Sequence, residues 1–340
     1  MSVFSSRVRS LIILTLIVST SLLLSSCVSE LTGKEGNLTF FYVTDDEPLD
    51  FNKPITVNGR LELGVRDAAE RNRSPIELTS AESSDPSVLE VVSFTDDTLT
   101  LQGNGDGSAE ISVEAQFANT GETKPDAIDM RAATPDRVEL WHECRPKTET
   151  MGIYQKGTDF RVPFDLKLDD GNDVIGYGYY PVDFSPAGLM TLDEDEQSQT
   201  WLFINGADTA GSGMISSQLD SSSLDVELVA IADFNGIERA SDRKIRLNED
   251  PSILHRPTVA SVPVCQAKAD FSVGNLTPDI CDARRATNIE DVADTFYTGT
   301  GWVRIEPIER GECRYEVNYP DANGGQGVTE TLSVDIIDAR

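Results

Sequence analysis

Glu110-Ile111-Ser112-Val113-Glu114-Ala115-Gln116-Phe117 alternates polar and apolar residues without a break. A strand points successive side chains to opposite faces, so Ile111, Val113, Ala115 and Phe117 share one apolar face. That two-residue period predicts a strand with one face in a core and the other in water. The period returns at Leu61, Leu63 and Val65, and again at Leu99 and Leu101. Gly, Asp, Asn and Pro punctuate the runs, as turns require. Helix-period windows are scarce: Asp67 to Asn72 and Ile289 to Phe296 each suffice for a turn or two. The expected fold is all-β, with antiparallel strands stacked into sandwiches that bury one face of each sheet.

An internal repeat sets the expected domain count. Three segments share one layout of alternating strand, Gly-containing turn and return strand. The first runs from Glu110 through Asn119-Thr120-Gly121 to Arg131, and the second from Asp225 through Phe234-Asn235-Gly236 to Leu247. The third runs from Cys313 through Ala322-Asn323-Gly324 to Ile337. The starts agree: Cys144 lies six residues past Val138, and Cys265 six past Val259. Three tandem domains are therefore expected at 37–133, 134–250 and 251–340.

In the first of these, Ser83-Ser84-Asp85-Pro86-Ser87-Val88-Leu89-Glu90-Val91 is followed by Gly107-Ser108-Ala109-Glu110-Ile111-Ser112-Val113. The pair resembles the bacterial immunoglobulin-like family (group 2), in which an S-x-[DN]-x-x-[VI]-[AL]-x-V stretch precedes G-x-A-x-I-x-V. The resemblance implies an immunoglobulin-like sandwich, and relatives of this kind often occur in adhesins and cell-surface proteins. The second domain echoes it at Asp169-Asp170-Gly171-Asn172-Asp173-Val174 and Gly211-Ser212-Gly213-Met214-Ile215; the third departs most.

The N-terminus carries Arg7 and Arg9, no acid, and then an apolar run from Leu11 to Leu24. That is the layout of a secretory signal peptide, short for a membrane span. Leu24-Ser25-Ser26-Cys27 resembles the bacterial lipobox, which implies cleavage after residue 26 and a diacylglyceryl group with palmitate-type acyl chains on Cys27. Residues 27–36 would then be a short lipidated tether. Val28, where an Asp would favour inner-membrane retention, implies by the same resemblance an outer-membrane lipoprotein, facing the periplasm or the cell surface. Acyl chains on Cys27 contribute about 0.8 kcal/mol per buried CH₂, and more than one chain is needed for firm anchoring.

The 340 residues carry a formal net charge of −30, which loss of the leader makes more negative by two. Such a surface repels nucleic acid and anionic headgroups. Apart from Cys27, the sequence has Cys144, Cys265, Cys281 and Cys313, which meet an oxidising compartment after export and can form two disulfides in three pairings. With two histidines and no Cys-x-x-Cys pair, zinc and redox centres are not expected. His142 and Cys144 should share one strand face, with Trp141 and Glu143 on the other. No Gly-x-Ser-x-Gly turn accompanies them, so no enzyme is expected.

Two further groups are candidates for binding. Asp169, Asp170, Asn172 and Asp173 offer oxygens for calcium, although Asp and Gly also favour such a turn on backbone grounds. Other acidic clusters stand at Asp45-Asp46-Glu47 and Asp193-Glu194-Asp195-Glu196. Tyr177 and Tyr179, with Trp201, could form an aromatic ligand platform, against a core or edge-strand role for the same rings. The functional expectation is a lipid-anchored envelope protein displaying its domains for adhesion, binding or spacing. The alternatives are a subunit pairing through strand edges, or a glycan-binding module.

Overall fold

The computed structural model of the chain describes residues 30–43, 51–69, 75–240, 244–286 and 301–339. The fold is all-β, built from sandwiches of the immunoglobulin-like kind whose buried apolar residues form three clusters. The helix window from Ile289 to Phe296 and the end of the one beginning at Asp67 lie outside the described residues, as does the Asp45-Asp46-Glu47 cluster.

The first cluster lies between two sheets. One has the order β1 (Glu30–Thr32), β2 (Leu38–Tyr42), β4 (Arg60–Asp67), β7 (Thr98–Gly103) and β6 (Leu89–Phe94). The other has the order β3 (Ile55–Thr56), β9 (Thr123–Ala133), β8 (Gly107–Phe117) and β5 (Ile76–Ser83). Along β8, Ile111, Val113, Ala115 and Phe117 are all buried and the residues between them are not, so the alternation sets the inner face. They meet Phe40, Leu61, Leu63 and Leu99 of the other sheet. Each large apolar side chain so buried contributes about 1.5–3 kcal/mol.

The entry of the chain into this sandwich is tied to Asp126. Its carboxylate accepts backbone N–H groups from Glu35 (2.9 Å), Asn37 (2.9 Å), Leu38 (2.7 Å) and Ala127 (2.8 Å). Burial alone would raise the pKa of this carboxyl. The amides of Glu35 and Leu38 outweigh burial and hold it below its ordinary value. Gly33 passes so close that an added Cβ would lie 2.1 Å from the Asp126 oxygen, so no larger residue fits.

The second cluster is covered on one side by β10 (Arg137–Leu140), β12 (Asp159–Lys167), β15 (Trp201–Gly206) and β14 (Met190–Leu192), in that order. On the other side are β13 (Val182–Ser185), β16 (Gly211–Ser217), β17 (Ser223–Val229) and β11 (Met151–Gln155). Val138, Phe160, Val162, Phe164, Leu202 and Ile204 point inward from the first of these sheets.

The second sheet does not stop at β11. It continues into β21 (Val262–Gln266), β20 (Ser252–Val259), β24 (Trp302–Pro307) and β23 (Cys281–Arg285), with β18 (Gly236–Arg239) also paired to β20. These strands cover the third cluster, closed by β19 (Ile245–Arg246), β26 (Val328–Ile337), β25 (Gly311–Tyr319) and β22 (Ser272–Asn275). Ile153, Val229, Phe234 and Ile245 belong to this third cluster, whereas Cys265 packs in the second. The two cores therefore interlock along the sequence.

Most pairings are antiparallel. β11 is parallel to both β17 and β21, and β3–β9 and β19–β26 are parallel as well. The repeated hairpin forms twice, as β8–β9 and β25–β26. At the middle copy the expectation fails. β17 pairs with β16 and β11, β18 turns away to β20, and residues 245–246 reach β26. The place a return strand would take beside β17 is occupied by β11, and Phe234 of the expected turn is buried in the third core.

Asp126→Asn would aim an amide N–H₂ at buried donors. Urea denaturation should show a loss of about 2–3 kcal/mol, the worth of charged acceptor bonds with one donor left unpaired. A variant as stable as the parent would refute the clamp.

Candidate functional site

The four described cysteines form two disulfides, Cys144–Cys265 and Cys281–Cys313, with Cα–Cα distances of 5.0 and 5.7 Å. The second staples the facing sheets of the third core through β23 and β25. The first links the segment after β10 to β21, across the junction between the second and third cores. Neither Cys144 nor Cys265 is available as a nucleophile in this state. Cys27 lies outside the described residues.

Both histidines are buried and each is bonded to a tyrosine. His142 Nε2 lies 3.0 Å from the Thr150 carbonyl, and Nδ1 lies 2.9 Å from the Tyr154 hydroxyl. A carbonyl only accepts, so Nε2 carries the proton and Nδ1 accepts from the tyrosine. His255 repeats the pattern with the nitrogens exchanged. Nδ1 donates to the Ile253 carbonyl at 3.0 Å, and Nε2 accepts from Tyr315 at 3.0 Å. Both rings are thus held neutral. Burial pushes His142 below its ordinary pKa and takes His255 down to about 4. Arg145 and Asp225 act on the first ring and Arg239 on the second, each more weakly than burial.

The acidic turn after β12 supplies its own partners. Asp170 accepts from the backbone and side-chain nitrogens of Asn172 at 2.9 and 2.7 Å, and Gly171 takes the left-handed conformation (φ 87°). Asp169 donates its backbone N–H to Asp136. Asp173 is bonded to Lys167 and to Lys53, the latter at 2.8 Å. The two ammonium groups help hold its carboxyl below the ordinary range, although burial acts in the opposite direction.

From Asp173 onward the chain forms a strap across the junction of the first and second cores. Asp173, Ile175 and Tyr177 make single β-bridges to Lys167, Ile55 and Arg60. Thr56 N–H donates to the Ile175 carbonyl (2.7 Å), Ile175 N–H to Pro54 (2.9 Å), and Arg60 and Tyr177 exchange two bonds (2.8 and 2.9 Å). Ile175 is buried in the first core, and the Tyr177 hydroxyl donates to Glu62 of β4 at 3.2 Å.

These contacts disperse the expected aromatic platform. Tyr177 serves the strap, while Tyr179 and Tyr180 pack on the second core. Tyr180 also clamps Ser198 through two bonds of 2.8 and 2.9 Å. Gly176 (φ 131°) and Gly178 (φ 81°) break the strand alternation assumed for this stretch. Trp201 stands on the opposite face of the β12–β15 sheet, directly across from Pro163. It has another companion, because the β10–β12 ladder runs on through a bond from Trp141 N–H to the Pro163 carbonyl (3.3 Å). Trp141 and Trp201, both half-buried, therefore flank Pro163, which is itself buried. His142 is buried, Trp141 half-buried and Glu143 exposed, but the strand expected through Cys144 does not form: residues 142–145 turn, with Arg145 N–H donating to the His142 carbonyl at 3.1 Å. Arg161 lies against Trp201 with its guanidinium 3.9 Å from the ring centroid, and the Lys147 ammonium lies 3.4 Å from that of Trp141.

A separate cleft of about 430 Å³ opens in the first sandwich, lined by Phe41, Val65, Arg66, Pro75, Ile76, Asp96 and Asp97. Of the residues named from the sequence it includes Val65 of β4 and none of the candidate site residues.

No family model matches the chain, and no curated protein matches it. Solved structures do match in part. One is the surface layer protein SbsC, domains 4–9, at 17% identity and TM-score 0.30, over 88% of this chain and 47% of that one. The chain thus spans about half the length of that structure. Another is the Escherichia coli adhesin FdeC, at 10% identity and TM-score 0.23, over 91% and 98% of the two chains. A third is SGBP-B of the Bacteroides ovatus mixed-linkage glucan utilization locus, at 9% identity and TM-score 0.28, over 88% and 70%. At these TM-scores, the likeness carries no argument about what this chain binds.

The neutral histidines predict a particular acid sensitivity. A ring whose folded pKa is depressed leaves stability intact above about pH 6.5 and removes it as pH falls toward the folded value. Denaturation from pH 7.5 to 4 should reveal a loss of roughly 2–3 kcal/mol assignable to His255. His255→Gln should flatten that slope, and an unchanged slope would refute the assignment.

Proposed function

We propose that this chain is a lipid-anchored cell-envelope protein. It carries three immunoglobulin-like units, expected at about 37–133, 134–250 and 251–340 but with β18 and β19 already serving the third core, as one stiff arm for adhesion, binding or spacing, without catalysis. The observation that carries this reading is the closure of both junctions between cores. The strap 173–177 joins the first pair through backbone bridges, and β11 with Cys144–Cys265 joins the second. Flexible linkers would leave such modules to move independently, whereas main-chain pairing across a junction fixes their relation. The lipobox resemblance at Leu24-Ser25-Ser26-Cys27 and the charge of −30 fit exposure in the envelope.

Assembly through strand edges is less well supported. The edge strands β1, β3, β10, β13, β14, β19, β22 and β23 have five residues or fewer. The longer edges, β5 and β6, each carry a register shift, at Leu78/Ser80 and Val91/Ser93. Short and bulged edges are poor templates for a further strand.

Two experiments test the proposal. Palmitate labelling should mark the parent protein and not Cys27→Ala, which should remain uncut; a labelled variant would remove the anchor from the proposal. For the stiff junction, a Cys144→Ser/Cys265→Ser double variant opens a loop with a sequence separation of 121. It should lose about 2–4 kcal/mol and exchange its β11 and β21 amides faster. Unchanged exchange would show that the disulfide does not brace the junction.

A further inference from the structure

We infer that His142 makes the joint between the second and third cores acid-releasable. A proton taken from solvent onto its ring unfastens β11, while the first core stays closed. The inference rests on reading β11 as the brace of a stiff arm. His142 is fully buried (0% exposed) and follows β10, in the turn that also holds Cys144. It lies on Gly152 of β11, where an added Cβ would stand 2.3 Å from the imidazole. Its two nitrogens reach residues on either side of that glycine, Thr150 at 3.0 Å and Tyr154 at 2.9 Å. The Thr150 carbonyl also accepts the Asp225 N–H at 2.8 Å, at the start of the β11–β17 ladder. One ring thus fastens most of the strand that the two cores share.

Hydrogen-bond polarity makes this contact intolerant of a proton. Neutral His142 donates through Nε2 and accepts through Nδ1, whereas an imidazolium donates through both. An Nδ1–H would face the Tyr154 hydroxyl, whose own proton would then need another acceptor. Among the described residues His142 is that hydroxyl's one hydrogen-bond partner. The phenol keeps its proton, because burial pushes its pKa well above the ordinary value. Its ring is held in place by stacking on Phe160 of β12, with centroids 4.1 Å apart. A buried donor left unpaired is costly, so the strand itself gives way.

The charged groups around the ring do not offset this. Arg145, in the same turn, opposes a second cation and is paired to Glu149. Asp225 of β17 favours the proton, as do the Thr150 and Asp225 backbones, but Asp225 is exposed. Glu143 acts on Tyr154 and favours its protonated form. Burial outweighs these and holds His142 below its ordinary value. With the folded pKa lowered, the joint is intact above about pH 6.5 and weakens as pH falls below it. The Cys144–Cys265 disulfide does not titrate, so the two cores stay tethered while β11 loosens. His255 makes its bonds inside the third core, to Ile253 and Tyr315, and the first core holds no histidine.

Hydrogen exchange on the full chain tests this, with rates corrected for the pH dependence of exchange itself. Protection at β11 should fall about tenfold between pH 7.5 and 5, and protection at β8 of the first core should hold. His142→Gln, which does not titrate, should abolish the fall, and His255→Gln should keep it. Tyr154→Phe removes the bond that favours the neutral ring and should move the midpoint to higher pH. That variant remains informative if His142→Gln does not fold. A fall that persists in folded His142→Gln protein, or an unmoved midpoint in Tyr154→Phe, would overturn the inference. Slow exchange at both pH values would overturn it too and leave the stiff arm standing. Fast exchange at β11 already at pH 7.5 would remove the stiff arm and the release together.

Discussion

β11, residues Met151–Gln155, is the strand on which the arrangement depends. It is paired on both edges, with β17 of the second core and β21 of the third. Its successive residues serve different cores: Tyr154 is buried in the second and Ile153 in the third. A single strand therefore contributes to two hydrophobic interiors, and neither can lose it without exposing apolar surface in the other. Gly152 lets the strand pass His142, since an added Cβ would stand 2.3 Å from the imidazole. Gln155 extends the joint by accepting the Lys268 backbone N–H at 2.9 Å. Unfolding of these two units should therefore be strongly coupled, in contrast to beads on a linker.

The first junction is closed differently. No strand is shared between whole sheets there; two alternate residues of a loop, Ile175 and Tyr177, each find one bridge across, to Ile55 and Arg60. One ion pair adds to it, Lys53 to Asp173, and Lys167 of the second core meets the same carboxylate. Exposed pairs contribute at most about 1 kcal/mol each, so the backbone bonds and buried Ile175 must carry the closure. The location of the cations is still informative. With 28 basic residues against 58 acidic ones, the chain places Lys53 on Asp173 across one junction and Lys268 on Asp159 across the other. Like-charge repulsion between acidic modules would otherwise act across those contacts.

The strands of the first sandwich and the last hairpin were legible because their alternation is local: each residue reports its own face. The middle hairpin was not. Nothing in residues 225–247 reveals that a strand from 151–155 will take the neighbouring place in parallel, since that pairing is set by tertiary contacts alone. The disulfide partners were hidden for the same reason, as Cys144 and Cys265 looked like equivalent positions in successive repeats and proved to be partners. The aromatic candidates failed for a local reason. Gly176 and Gly178 at positive φ remove the alternation that would have set Tyr177 and Tyr179 on one strand face.

The same constraints narrow how such a chain can meet a partner. Main-chain recognition needs a long, flat, unpaired edge, and the edges here are short or bulged. Electrostatic capture of polyanions is opposed by the net charge. Recognition by side chains on sheet faces meets neither obstacle, and strand pairing fixes such positions better than loops do. A face gains most when its sheet cannot shift relative to the next unit. The β10–β12–β15 face meets that condition because Gln266 and Cys265 tie it to the third core. The contacts that tie the second core to the third thus also fix the strands of this face, through Gln266 on the Arg161 backbone.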